Sequence, residues 1–301
     1  MQKNEKPKII VVLGPTASGK SDLAVDLALK FDGEIISTDS RQVYTGLDIG
    51  SGKIIPEEMK GIPHYLLDEF DPSDVFTVAQ FKDKAEKIIE DILVRGKVPI
   101  LAGGTGLYIS AIVDGVIFPK VGENKELRNE LEKLSNEELF ERLQKLDSRR
   151  AGEIDAQNPR RLIRAIEIAT QLGQVPKLGS PTSKWNVLQI GIKTDNDILK
   201  ERIAKRFYKR VEAGIVEEAE ELHKKCLSYE RMHEIGLAHK YIVLYLQNKI
   251  SKEDFIQASI KEEQRYAKRQ MTWFKRDTRI QWFALDEQNK ILSTVKTFLE
   301  N

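Results

Sequence analysis

The stretch VVLGPTASGKS, Val11 to Ser21, constrains this chain more than any other, because a glycine-rich turn there separates two runs of different period. KIIVVL before the turn is continuously apolar and β-branched, the pattern of a strand buried on both faces of a parallel sheet. KSDLAVDLALKF after it is apolar at helical spacing. Gly14-Pro15-Thr16-Ala17-Ser18-Gly19-Lys20-Ser21 therefore fits G-x-x-x-x-G-K-[ST] in the context that the motif requires. Backbone N–H groups wrap an anionic oxygen, the helix start adds positive potential, Lys20 reaches a terminal phosphate, and Ser21 can take a Mg²⁺ ion. This is the nucleotide-binding grip of ATP- and GTP-using proteins. It demands only a diphosphate-like ligand, however.

The alternation continues. GEIISTD reads as a second strand ending at Asp39, PHYLLDEF as a third, TVAQFKDKAEKIIEDILVRG as an amphipathic helix, KVPILAGG as another buried strand, and TGLYISAIVDG as a helix leaving it. Such a rhythm predicts an α/β fold, a P-loop NTPase-like parallel sheet flanked by helices. From Lys120 the patterns are helical only (NKELRNELEKL, NEELFERLQKL, NPRRLIRAIEIATQLG), and NVLQIGIKT then restores a strand. An all-helical domain at 120–186 is thus expected to be inserted into a catalytic core made of 1–119 and 187–301. The core's helical C-terminal region should hold helices near 195–212, 214–226, 231–247 and 251–276, then a short strand RIQWFAL and a last helix.

Three strand ends converge where ligands bind in such sheets. Asp39 leaves the second strand in TDSRQVY, and Thr105 follows two glycines in AGGTGLY. Either residue could instead be a plain cap of the next element. A P-loop NTPase places a metal-shell carboxylate at the end of a neighbouring strand, where this chain has Gly103-Gly104-Thr105. Asp39 is the remaining candidate, for the metal or for an acceptor.

Net charge is only +1, so the total says nothing about nucleic acid, but its distribution does. RYAKRQMTWFKRDTR, Arg265 to Arg279, sets Lys and Arg against one Asp and interleaves Tyr266, Trp273 and Phe274. A polyanion with bases to stack would suit it, as would a helix with one basic and one core side. The single cysteine, Cys226, excludes an internal disulfide and is expected to be a packed thiol on a helix. No apolar run nears the ~20 residues that span a bilayer, and no signal peptide is evident, so a cytoplasmic protein is expected.

GPTASGKS, ISTDSRQVYTGLDIGSGK, PHYLLD, FTVAQF, PILAGGTGLYISA, NPRRLIRAIEI, GIVEEAEEL and YAKRQMTWFKRD, in this order and over nearly the whole chain, resemble the tRNA dimethylallyltransferases of bacterial type. The resemblance implies transfer of a dimethylallyl group from dimethylallyl diphosphate to the N6 amine of the adenine on the 3′ side of the tRNA anticodon, with loss of pyrophosphate. It implies Asp39 as general base, Thr105 at the reacting centre, and residues 14–21 with Arg206 as diphosphate ligands. Mg²⁺ on Ser21 is the implied cofactor. Asp39, Ser40, Arg41, Gln42 and Thr105 would line the nucleic-acid entrance, and Gln157, Asn158, Pro159, Arg160, Arg161 and Arg128 would grip the anticodon stem-loop. The expected state is a monomer. One departure is HEIGLAHKYIVLYL, where the family more often has Gly-Tyr after the isoleucine; a local repacking without consequence for the chemistry is expected. The alternatives are an adenylate isopentenyltransferase acting on free nucleotide, an ATP-dependent kinase of a small acceptor, and a non-catalytic RNA-binding protein.

Overall fold

A computed structural model describes residues 6–119, 121–176 and 183–301. Six parallel strands, β1 (Lys8–Leu13), β2 (Gly33–Ser37), β3 (His64–Tyr65), β4 (Val98–Gly103), β5 (Asn186–Lys193) and β6 (Gln281–Ala284), form one sheet in the order β3-β2-β4-β1-β5-β6. Ile9, Val11 and Leu13 pack on one face of the central strand, while Ile10 and Val12 pack on the other, and none is exposed. The unalternating run KIIVVL is apolar for that reason.

Helices α1 (Lys20–Phe31), α2 (Pro56–Met59), α3 (Val78–Val94) and α4 (Gly106–Val113) fill the first half. The start of α3 is fixed by a reciprocal cap: Thr77 Oγ1 accepts from the Gln80 N–H, and Gln80 Oε1 accepts from the Thr77 N–H. FTVAQF thus serves as a helix start.

The chain divides into two compact units, Val116–Pro181 and the remainder, Met1–Gly115 with Thr182–Asn301. The smaller holds α5 (Lys125–Leu131), α6 (Asn136–Leu146), α7 (Ser148–Glu153) and α8 (Pro159–Leu172) around Leu131, Leu143, Leu162 and Ile166. Strand β5 pairs with β1 in parallel, so the sheet resumes after the helical segment.

Helices α9 (Asn196–Glu212), α10 (Ile215–Lys224), α11 (Tyr229–Ile235), α12 (Ala238–Leu246), α13 (Lys252–Phe274) and α14 (Gln288–Glu300) complete the larger unit. Three expectations need correction here. The helix expected at 231–247 is broken at Gly236 and Leu237, whose φ angles of 77° and 49° no helix tolerates. Cys226 lies beyond the end of α10 at φ 73°, exposed rather than packed on a helix. The third strand shrinks to His64–Tyr65, because Leu66 and Asp68 also turn to positive φ.

Among the described residues no helix is long and apolar enough to cross a membrane.

Candidate active site

One narrow pocket at the carboxyl ends of β1, β2 and β4 brings together Thr16, Lys20, Ser21, Asp39, Arg41, Gln42 and Arg206. Its phosphate loop is built as the motif predicts. Gly19, at φ 86°, caps α1, and the Ser18 N–H donates to the Pro15 carbonyl at 3.3 Å. Gly14, Pro15, Ala17, Ser18 and Gly19 form the frame, with Ser18 buried and its hydroxyl without a partner.

Asp39 does two things at once. Its Oδ1 accepts from the N–H groups of Arg41 (2.9 Å) and Gln42 (3.4 Å), closing the turn after β2. Its Oδ2 makes no hydrogen bond among the described residues, and Asp39 lines the pocket. The cap and the free oxygen belong to the same carboxylate. Thr105 stands at the N-cap of α4 but makes no side-chain cap; its Oγ1 accepts instead from the Ser40 N–H at 3.2 Å. The hydroxyl therefore ties the Asp39 turn to the end of β4.

Arg41 and Gln42 are engaged internally as well as lining the pocket. Arg41 Nε donates to the Ile235 carbonyl (2.9 Å), its guanidinium lies 5.4 Å from the Tyr266 ring centre, and Gln42 Nε2 donates to the Gly52 carbonyl (3.2 Å). Arg206 Nη2 reaches the same Gly52 carbonyl at 3.3 Å. A methyl group at Gly52 would overlap that guanidinium, and Gly52 has φ 62°. Beyond Arg206 the pocket opens into a wider cavity with Ala17, Ile49, Ile54 and Met59 on its walls.

Positive charge is concentrated and partly desolvated. Burial, then the nearby Arg206, lower the Lys20 ammonium to about 8, with Asp39 pulling the other way. Burial and Arg210 likewise hold the Arg206 guanidinium below its ordinary value. Such a site favours a multiply charged anion.

Several site residues carry no local motif. Gln270 on α13 bridges two loops: its Oε1 accepts from the Thr16 N–H and its Nε2 donates to the Gly104 carbonyl, both at 2.9 Å. A methyl at Gly104 would collide with Gln270. Glu263 pairs with buried Arg210, whose Nη1 donates to the Gly50 carbonyl at 3.1 Å. Glu218 accepts from the N–H groups of Asp48 (2.9 Å), Ile49 (2.7 Å) and Gly50 (2.8 Å). Burial pushes its carboxyl up, with those three N–H groups opposing. Tyr266 also lines the pocket, and burial and Asp39 push its phenol up.

The basic run along and just beyond α13 separates into buried and exposed positions. Glu263, Ala267, Gln270 and Phe274 are buried, whereas Arg265, Lys268, Arg269, Trp273, Lys275 and Arg276 are exposed. Helical spacing alone would have found this split; Trp273, resting on Gly106, is the aromatic left facing outward.

Arg128 and Gln157–Arg161 belong to the helical unit. There Asn158 Oδ1 caps α8 by accepting from the Arg161 N–H (3.2 Å), Pro159 takes the first turn, and Gln157, Arg160 and Arg161 are exposed. Arg128 is clamped by Glu167 through Nε (2.8 Å) and Nη2 (2.9 Å), and by Glu123 through Nη1 (2.7 Å). Its geometry is that of a strut between α5 and α8, because the buried Glu167 carboxylate needs a fixed cation.

The departure at Gly236-Leu237, expected to be a local repacking without consequence for the chemistry, puts Leu237 in the pocket lining. The donor set for a metal is sparse. No cluster of three or more His, Cys, Asp or Glu exists among the described residues; the pocket's hard oxygens include the Ser21 hydroxyl and the Asp39 carboxylate, while its other carboxylate, Glu263, is paired with Arg210. That set fits Mg²⁺ arriving with phosphate oxygens, since this ion takes one or two protein oxygens and completes its shell from phosphate and water.

A model of the IPP transferase family matches residues 42–277. The tRNA dimethylallyltransferase of Thermoanaerobacter sp. (strain X514) is 41% identical over 291 residues, covering 93% of this chain and 92% of its own. The crystal structure of the full-length tRNA isopentenylpyrophosphate transferase from Bacillus halodurans superposes with a TM-score of 0.73 at 36% identity, over 98% of this chain and 97% of that one. A eukaryotic dimethylallyltransferase acting on tRNA gives a TM-score of 0.78 at 27% identity, over 92% and 74%.

Proposed function

Since the chain belongs to the IPP transferase family, we propose that it transfers the dimethylallyl group of dimethylallyl diphosphate to the exocyclic N6 amine of the adenine 3′ to a tRNA anticodon. Pyrophosphate is released. The observation that carries this reading is the meeting of the phosphate loop, Arg206 and Asp39 in one pocket.

The adenine amine is a poor nucleophile, its lone pair being conjugated into the ring. As N6 bonds to the allylic carbon, the carbon–oxygen bond to the diphosphate breaks and Asp39 Oδ2 takes the departing N6 proton. Backbone N–H groups of the loop, Lys20 and Arg206 stabilise the charge that collects on pyrophosphate. Ser21 would hold a Mg²⁺ ion bound to the diphosphate, which supplies further charge neutralisation. Thr105 keeps the Asp39 turn in place through the Ser40 N–H.

The target base leaves the anticodon-loop stack to enter, at a cost of a few kcal/mol. Asp39–Gln42 stand at that entrance, the exposed arginines and lysines of α13 face the RNA backbone, and Gln157–Arg161 of the helical unit contact the stem-loop. The protein works as a cytoplasmic monomer.

Incubation with labelled dimethylallyl diphosphate and either unmodified tRNA or AMP tests the reading. Label is expected in tRNA alone; label in AMP alone, or phosphoryl transfer from ATP, overturns it. Asp39→Ala should lower the single-turnover rate by ~10²–10⁴-fold. An undiminished rate with saturating substrates removes Asp39 from the role of base.

A further inference from the structure

Leu237 has backbone angles φ 49° and ψ −126°, a region that residues with a β-carbon rarely occupy. Such a conformation persists only where the surroundings over-determine it, and here they do. Met232, Ile235, Ala238 and His239 on either side are buried, and Arg41 Nε from the Asp39 turn holds the Ile235 carbonyl at 2.9 Å. The strained residue is thus fixed against the pocket from both ends.

Its side chain is not part of the core. Leu237 belongs to none of the hydrophobic clusters formed by the described residues, although its neighbours Ile235 and Ala238 do. It lines the pocket, whose other walls are mostly charged or amide-bearing, among them Lys20, Asp39, Arg206 and Gln270. Apart from the Tyr266 ring, only Ala102 and Leu237 offer carbon side chains there. The chamber is also small, about 70 Å³ against about 820 Å³ for the cavity beyond Arg206.

An isoprenoid tail makes no hydrogen bonds and must be held by apolar contact. We propose that Leu237 is the wall against which the isoprenoid chain packs, positioning the allylic carbon and setting the chain length that the site accepts. This rests on reading the pocket as a prenyl-transfer site. The strain then has a use: a helix or an ordinary turn at 236–237 would not carry a leucine to this wall.

The test compares wild type, Leu237→Ala and Leu237→Gly in the full chain, with tRNA as acceptor and the five-carbon dimethylallyl or the ten-carbon geranyl diphosphate as donor. Wild-type transfer of the five-carbon group is measured first, and its absence counts against the prenyl-transfer reading itself. Given that transfer, both variants should shift the ten- to five-carbon ratio of kcat/KM upward by about 10–100-fold, the scale of pocket discrimination by a few methylenes. Inhibition by inorganic pyrophosphate should be unchanged, because the phosphate loop is untouched. Leu237→Gly, which accepts the positive φ, should not lower the thermal midpoint. A donor ratio that stays at the wild-type value in both variants overturns the proposal, as does pyrophosphate inhibition lost in step with transfer.

Discussion

The glycine loops at 14–21 and 46–53 border the same pocket and keep their shapes by opposite means. The first is mostly local: a strand end, a left-handed Gly19 and a helix start shape it within eight residues, and a single side chain from afar, Gln270, braces it at the Thr16 N–H. The second is held from far away. Glu218 secures three of its N–H groups, Arg210 and Arg206 take the Gly50 and Gly52 carbonyls, and Lys53 pairs with Asp48 and Asp68. A loop of the first kind announces its chemistry in any sequence. One of the second kind keeps it in helices more than a hundred residues away.

The contrast can be broken at each loop in turn. Lys20→Met should cost the largest factor, about 10³-fold in kcat/KM for the diphosphate donor, because the charge facing the leaving group is lost. Urea unfolding at neutral pH should show no loss of stability, since a desolvated ammonium is removed. At the second loop, Gly52→Ala forces a side chain onto positive φ and displaces Arg206, and should lower kcat by about 10²-fold. If Gly52→Ala is as active as wild type, that loop does not position Arg206. Glu218→Ala leaves three inward N–H groups without a partner and should cost about 2–3 kcal/mol of stability by denaturant titration. Glu218→Gln keeps only one of the two acceptor oxygens, so stability equal to wild type in that variant would show that the loop does not need both.

The smallest effect is on pH dependence. With Lys20 lowered to about 8 in the folded chain, the unfolded chain binds the extra proton between that pH and the ordinary lysine range near 10.5. Wild type should therefore gain stability relative to Lys20→Met as pH rises through this window. Binding of pyrophosphate, which favours the ammonium, should take up protons there. Calorimetry in buffers of different ionisation heat reads that uptake directly.

Most of the sheet was legible because buried parallel strands leave unbroken apolar runs, as KIIVVL and KVPILAGG do. Asp39 was legible for its place at a strand end. Gln270, Glu263 and Glu218 were not, since each is a polar residue on an amphipathic helix and looks like part of a solvated face until burial is known. Leu237 was missed for the converse reason. HEIGLAHKYIVLYL keeps a helical apolar pattern across the break, and only the positive φ angles at 236 and 237 show that the chain turns there. Arg128 shows the limit of carrying a role by residue type, because a guanidinium locked by two carboxylates has few donors left for phosphate.

Gln270 gives the phosphate loop a schedule. The Thr16 N–H and its partner are 254 residues apart in the chain. At ~5–20 residues per second, a ribosome finishes the glycine-rich motif roughly 13–50 s before it makes the side chain that braces it. The nascent protein thus carries a recognisable phosphate-binding sequence through nearly all of its synthesis with one end of the brace unmade. Competence for the donor arrives late and all at once, when α13 docks, so a truncated product would keep the signature without the finished grip.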